Sequence, residues 1–289
     1  MASRATIRRI LRWDLKWKPY RPRRVHRLVK GDDRQRYWSC HFFLEKMQAD
    51  PTFVTNIIWS DECYMKLDGK IVSNNVVHWG PVNPHYTYQK STNRTGVMVF
   101  AAISICGIVG IGFFDEMKAN ANRKKRNSVN KESYKEMLKE ILLPGIAQTY
   151  PETEINSLFF MQDGAPSHCV PAFLNLHFEN RWIGNAKHEA PIHWPSRSPD
   201  ITPMGKFTNK LTSYYFLPFL DFSFWGLLRQ KVYLRSPTSI SDLKQFIKEE
   251  ADGLPDTYFW KTCNSHVLKR WIECKKSSGR TIENTYAFN

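Results

Sequence analysis

No stretch of eighteen consecutive apolar residues occurs in this chain, so no transmembrane helix and no membrane partner is expected. The nearest approach, "VMVFAAISICGIVGIGFF" (Val97–Phe114), is broken by glycines and rich in β-branched residues, which suits a buried hairpin. The front of the chain lacks the apolar core of a secretory signal and is rich in arginine instead. The six cysteines (Cys40, Cys63, Cys106, Cys169, Cys263 and Cys274) include no C-x-x-C pair, which argues against a zinc frame and for reduced thiols.

Acid is scarce at the front. Residues 1–30 hold eleven Lys/Arg and one Asp, a net +10 of the chain's +15. A polyanion-binding arm on a mildly basic body is the simplest reading, with nucleic acid as the polyanion; a solvated basic tail is the bland alternative. "SRATIRRILR" begins with Ser3 as an N-cap and sets Ile7, Ile10 and Leu11 on one helical face. Arg4, Arg8, Arg9 and Arg12 occupy the other faces. This reads as the last helix of a helix-turn-helix, or as a frayed amphipathic start. The following "KWKPYRPRRVHR" places Lys16, Lys18, Arg21, Arg23 and Arg24 on a Pro-punctuated linker suited to tracking phosphates or a minor groove.

What is plentiful beyond the arm is apolar and aromatic side chain, 42% and 14% of the whole, enough for a folded core. Gly31 to Pro51 reads as a helix leading into the body. The run Ile57-Ile58-Trp59 reads as a buried strand that delivers Asp61 and Glu62 at its end, and "NNVVHWG" as a further strand. "NKESYKEMLKEILLPGIAQTY" is an amphipathic helix, with Tyr134, Met137, Leu138, Ile141 and Leu142 at helical spacing. "SLFFMQDGAPSH" repeats the strand-then-acid arrangement, ending at Asp163, and "PAFLNLHFEN" is a helix. "PIHWPSRSPDITPM" is extended, and "DFSFWGLLRQKVY" is a helix with Phe222, Trp225 and Leu228 on one face. Strands followed by alternation with helices mean an α/β fold with a mixed sheet.

Two acids at the ends of buried strands are costly to hold ionised without a positive partner between them. A divalent cation is the natural one, since carboxylates suit Mg²⁺ or Mn²⁺. Asp221, at a helix start, would complete a cluster able to hold two ions. Taken singly, each acid reads better as a turn or cap residue. Together with the basic arm they suggest a metal-dependent nuclease or strand transferase.

"WSDE", "QDGAPSH" and "WPSRSPDITPM…DFSFWG" together resemble the mariner-like transposases, a DDE/DDD superfamily. The resemblance runs over nearly the whole chain, from "KPYRPRRVHRL" to "VLKRWIECKKSSGRTIENTY". It implies an RNase H-like mixed sheet flanked by helices over residues 31–289. Residues 1–30 are then a remnant of the second helix-turn-helix plus a basic linker, with the first DNA-binding subdomain absent. It also implies cut-and-paste transposition of double-stranded DNA, at transposon ends and target, with two Mg²⁺ or Mn²⁺ ions. The family's three catalytic and metal-holding acids fall on Asp61, Asp163 and Asp221. A nuclear location and a homodimer fit that activity. Asp200 matches a family position that is not a metal ligand and reads as a turn acid, and His168 as a structural hydrogen-bonding residue. A non-catalytic DNA-binding descendant is the alternative function.

The chain departs from the family in one place above all. Sixteen residues, Gly205–Leu220, stand where family members run straight from the Pro-rich segment into the acid-led helix. Fifty-seven residues separate Asp163 from Asp221; without the sixteen there would be 41. Gly-Lys-Phe can be encoded with a splice donor, Leu-Asp with an acceptor, and "YYFLPFL" with a pyrimidine tract. Excision of 48 nucleotides would rejoin a single Asp codon in frame. The insert reads as a translated short intron, with a true loop insertion as the alternative. It is expected to displace Asp221 and leave the chain folded but inactive. The basic run Arg123–Arg126 in "ANANRKKRNS" reads as a solvated loop, an import signal or a DNA contact.

Overall fold

Ser104 and Gly107 close a hairpin turn around Ile105 and Cys106, with Gly107 at φ 122°, a conformation that a side chain would strain. The hairpin strands are β2 (Gly96–Ser104) and β3 (Gly107–Phe113), as the Val97–Phe114 run predicts. In this computed structural model, which describes residues 6, 9–14, 27–69, 95–121, 128–205 and 223–282, they form one edge of a six-stranded sheet. The others are β1 (Ile57–Lys66), β4 (Phe159–Met161), β5 (Trp182–Gly184) and β6 (Ile192–His193). The order is β3-β2-β1-β4-β5-β6. β2 runs antiparallel to both β3 and β1, while β1, β4, β5 and β6 are parallel.

Alternation along β1 sends its side chains to two cores. Ile57, Trp59, Cys63 and Met65 join one cluster and Ile58 the other. The first face is covered by α1 (Asp32–Ala49), α6 (Phe224–Leu234) and α7 (Ile240–Asp252). A further helix packs there too: α8 (Asp256–Trp260) continues through the π-helical turn Lys261–His266 into α9 (Val267–Lys276). The second face is covered by α2 (Lys131–Met137), α3 (Leu143–Thr149) and α5 (Pro171–His177). The short α4 (Glu152–Ile155) follows α3. Asn130 caps α2 by accepting the Ser133 N–H at 3.1 Å. The π-helical turn Leu138–Leu142 joins α2 to α3 just ahead of Pro144, where the helical ladder loses a donor.

Two expectations need correction. β1 does not end at Asp61; it runs on to Lys66 because it pairs with β2 as far as Gly96, so the acid sits in mid-strand. Asp200 is not merely a turn acid. It is buried in a two-pronged ion pair with Arg36, both bonds 2.7 Å, and also accepts the Ile282 N–H at 3.0 Å. The pair ties α1 to the Pro-rich segment and to the chain after α9. At the front, Ile10–Asp14 form a helical turn whose Trp13 is 77% exposed. "NNVVHWG", Arg123–Arg126 and residues 206–222 lie outside the described residues.

Candidate active site

Pairing between β1 and β4 sets the site. Trp59 lies opposite Met161 in the parallel register, and each chain segment carries an acid two residues further on, Asp61 and Asp163. Adjacent strands lie about 4.8 Å apart, so the register carries the chain toward Asp61 and Asp163 on neighbouring strands, and the charge of Asp163 reaches Asp61. The Ser60 hydroxyl donates to the Met161 carbonyl at 2.8 Å and holds the strands together beside them.

Asp61 points to the first face. Its Oδ2 accepts the indole N–H of Trp225 at 3.1 Å, and its Oδ1 the Glu62 N–H at 2.9 Å. Burial, reinforced by the charges of Glu62 and Asp163, pushes its carboxyl up to about 8. Glu62 turns to the other face and meets His168, Nε2 to Oε2 at 3.2 Å. Its second oxygen, Oε1, is buried and has no hydrogen-bond partner among the described residues.

His168 bridges the acids. Its Nδ1 reaches Asp163 Oδ1 at 2.8 Å, and its ring stacks on Tyr134 with centroids 4.1 Å apart. Burial alone would lower the imidazole, but the negative charge of Glu62 and the bond to Asp163 hold it well above its ordinary value. Burial would conversely raise Asp163; the bond and charge of His168 keep it below the usual carboxylate range. Behind them the Tyr134 hydroxyl donates to Gln162 Oε1, and Gln162 Nε2 to the His168 carbonyl, each at 2.9 Å. A Cβ at Gly164 would run into Asn185 Nδ2, so the Asn185 amide would have to give way to any larger residue there.

Asp61 and Asp163 lie near enough for the charge of Asp163 to raise the Asp61 carboxyl, and His168 has the hydrogen-bonding role read from the motif. The third predicted acid, Asp221, lies outside the described residues, two positions ahead of the Ser223 that precedes α6. So do Arg4, Arg8, Lys16, Lys18, Arg21, Arg23, Arg24 and the side chain of Arg12, while Arg9 is an exposed helical residue. Among the described residues, no three His, Cys, Asp or Glu side chains close around a metal ion. Sequence reasoning missed the polar duties of Tyr134, Gln162 and Trp225. The first and last sit on helical faces that periodicity marks as core, and a buried Tyr or Trp needs a partner for its polar atom.

No protein-family model matches the chain, and no curated protein matches it in sequence. Solved structures do match it in fold. The Mos1 mariner paired-end complex with Mn superposes with a TM-score of 0.69 and 18% identity, covering 96% of this chain and 72% of that one. A pre-cleavage Mos1 transpososome gives 0.68 and 16% over the same shares. The isolated catalytic domain of Mos1 mariner transposase gives 0.58 and 18%, over 89% of this chain and 98% of that one. The mixed six-stranded sheet of this chain and its flanking helices share the fold of the Mos1 mariner transposase structures.

Proposed function

We propose that the chain is a mariner-like transposase, whose site cleaves and joins double-stranded DNA with divalent metal ions. The observation that supports this is the β1–β4 pairing, beyond whose ends Asp61 and Asp163 follow on neighbouring strands, with the charge of Asp163 raising Asp61 and Asp221 just ahead of α6 in sequence. The residues fit Mg²⁺ or Mn²⁺. They are hard oxygen donors, burial and the charges of Glu62 and Asp163 hold the Asp61 carboxyl high, a cost that a cation would relieve, and Glu62 Oε1 is buried without a partner among the described residues. Mos1 complexes contain Mn or Mg, paired transposon ends and a strand-transfer state, which supports the same metals and DNA partners here.

Asp61, Asp163 and Asp221 would hold two ions. Bound there, the ions supply Lewis-acid activation of the attacking oxygen and stabilise the departing one. The chain's own residues set the geometry: His168 orients Asp163, and Tyr134 and Gln162 hold His168. The reaction is hydrolysis of a phosphodiester at a transposon end, followed by attack of the freed 3′-hydroxyl on target DNA. The basic arm, Arg4 to Arg24, holds the phosphates, and two copies pair two ends. A nuclear location follows from that substrate. The Gly205–Leu220 insert weakens cleavage, since misplacing a catalytic group by about 1 Å costs on the order of 100-fold.

The test is nicking of supercoiled plasmid with Mg²⁺ or Mn²⁺ by the chain as it stands and by a version lacking Gly205–Leu220, each beside Asp163→Asn. Metal-dependent nicking that disappears in Asp163→Asn supports the reading. DNA binding without such nicking in either version would place the chain in the non-catalytic, DNA-binding class.

A further inference from the structure

Trp225 is only 1% exposed and its ring packs in the first core, yet its N–H is spent on a carboxylate. The contrast with Trp59 is informative. That indole is equally buried, and its N–H has no partner among the described residues. Packing alone therefore does not decide where an indole N–H goes in this core.

The contact is the first rung of a ladder. One turn further along α6, Arg229 Nη2 donates to the Tyr64 carbonyl at 2.9 Å and lies 2.7 Å from Cys63 Sγ. One turn further again, the Tyr233 hydroxyl donates to the Lys66 carbonyl at 2.7 Å. Four helical residues advance about 6 Å, and two or three strand residues about 7–10 Å, so α6 and β1 run in step from the acid outward. Asp61 itself uses one lone pair on each oxygen, for Trp225 and for the Glu62 N–H. A carboxylate has about four such sites, which leaves one on each oxygen open.

We propose that Trp225 is a positioning residue for the metal site: its indole N–H fixes the Asp61 carboxylate and ties it to the helix that follows the third acid. This rests on the metal-dependent reading of the site. The arrangement keeps the first acid from swinging toward solvent when the cation is absent. Groups that orient a metal ligand in this way typically affect affinity by about 10–100-fold.

The experiment titrates the full chain with Mn²⁺ alone, following free Mn²⁺ by electron paramagnetic resonance, with thermal unfolding measured alongside. Asp61→Asn identifies binding at the site. Trp225→Phe keeps most of the ring and removes the N–H. Site-specific replacement of the Trp225 indole by benzothiophene changes only N–H to sulfur and guards against a packing defect. The core variant Ile247→Val controls for lowered stability. The expected result is Mn²⁺ affinity about 10-fold weaker in both Trp225 variants and unchanged in Ile247→Val. Undiminished affinity in the benzothiophene protein would overturn the inference while leaving the metal reading standing. Absence of Asp61-dependent Mn²⁺ binding in the unsubstituted chain would overturn both together.

Discussion

The main-chain N–H of Phe224 donates to the carbonyl of Pro203 across 3.1 Å, although twenty residues of chain lie between them. Both sides of the Gly205–Leu220 insert are thus brought to one place. On one side, Arg270 donates to the Thr202 carbonyl and the Trp271 indole to the Ile201 carbonyl at 3.2 Å. On the other, α6 is held to β1 by Trp225, Arg229 and Tyr233. Neither anchor uses the insert.

Removing Gly205–Leu220 should therefore leave the fold intact. Met204, Asp221, Phe222 and Ser223 would remain to span the Pro203–Phe224 bond. Shortening the loop from twenty residues to four removes a little over two doublings of length, which stabilises by about 1.4 kcal/mol. Urea unfolding of the two versions measures this. A fall of several kcal/mol on deletion would mean that the insert is part of the fold.

The buried Arg36–Asp200 pair separates a structural acid from the metal-binding ones. Asp200→Asn leaves a buried guanidinium without its counter-charge and should cost about 3–5 kcal/mol. Mn²⁺ affinity of the folded fraction should stay as it was. A drop in affinity with unchanged stability would move Asp200 into the metal site.

Much of the architecture is legible in the residues. The strand runs at Ile57 and Leu158, the Val97–Phe114 hairpin and the amphipathic helix after Asn130 follow from periodicity, and motif order places Asp61 and Asp163 together. The structural duty of Asp200 is hidden because "SPD" looks like a turn, and its partner Arg36 lies 164 residues away. The strand Trp182–Gly184 is three residues long, too short to carry a period. The end of β1 is not legible either, since pairing with β2 rather than local propensity sets it. Hydrogen bonds from Trp225 and Tyr134 depend on which way a buried ring faces, and apolar spacing does not report that.

Stability should fall as pH rises in metal-free buffer. Asp61 has a folded value raised to about 8 and His168 one raised well above its ordinary position, so at these two groups the folded state binds more protons than the unfolded one. The His168 contribution is complete below about pH 6.5 and is lost as pH climbs through its folded value, while the Asp61 penalty grows from about pH 4 to 8. Melting temperature with chelator should drop between pH 5.5 and pH 8.5, and Asp61→Asn should flatten the decline. Added Mn²⁺ should flatten it too, by favouring the ionised carboxylate. A melting temperature that rises over this range would contradict these assignments.

DNA affinity should be steeply salt-dependent and weakly sequence-dependent. Replacing Arg21, Arg23 and Arg24 by alanine should reduce the slope of log K against log salt by about 0.9 for each phosphate that is no longer neutralised. An unchanged slope would remove the arm from the DNA interface.

The most direct measurement of the central claim is an anomalous-scattering map from crystals of the full chain grown with Mn²⁺. The account predicts a manganese peak touching the carboxylates of both Asp61 and Asp163, absent from Asp163→Asn crystals. Peaks that avoid both acids, or carboxylates more than roughly 8 Å apart, beyond the reach of one or two bridging ions, would contradict it.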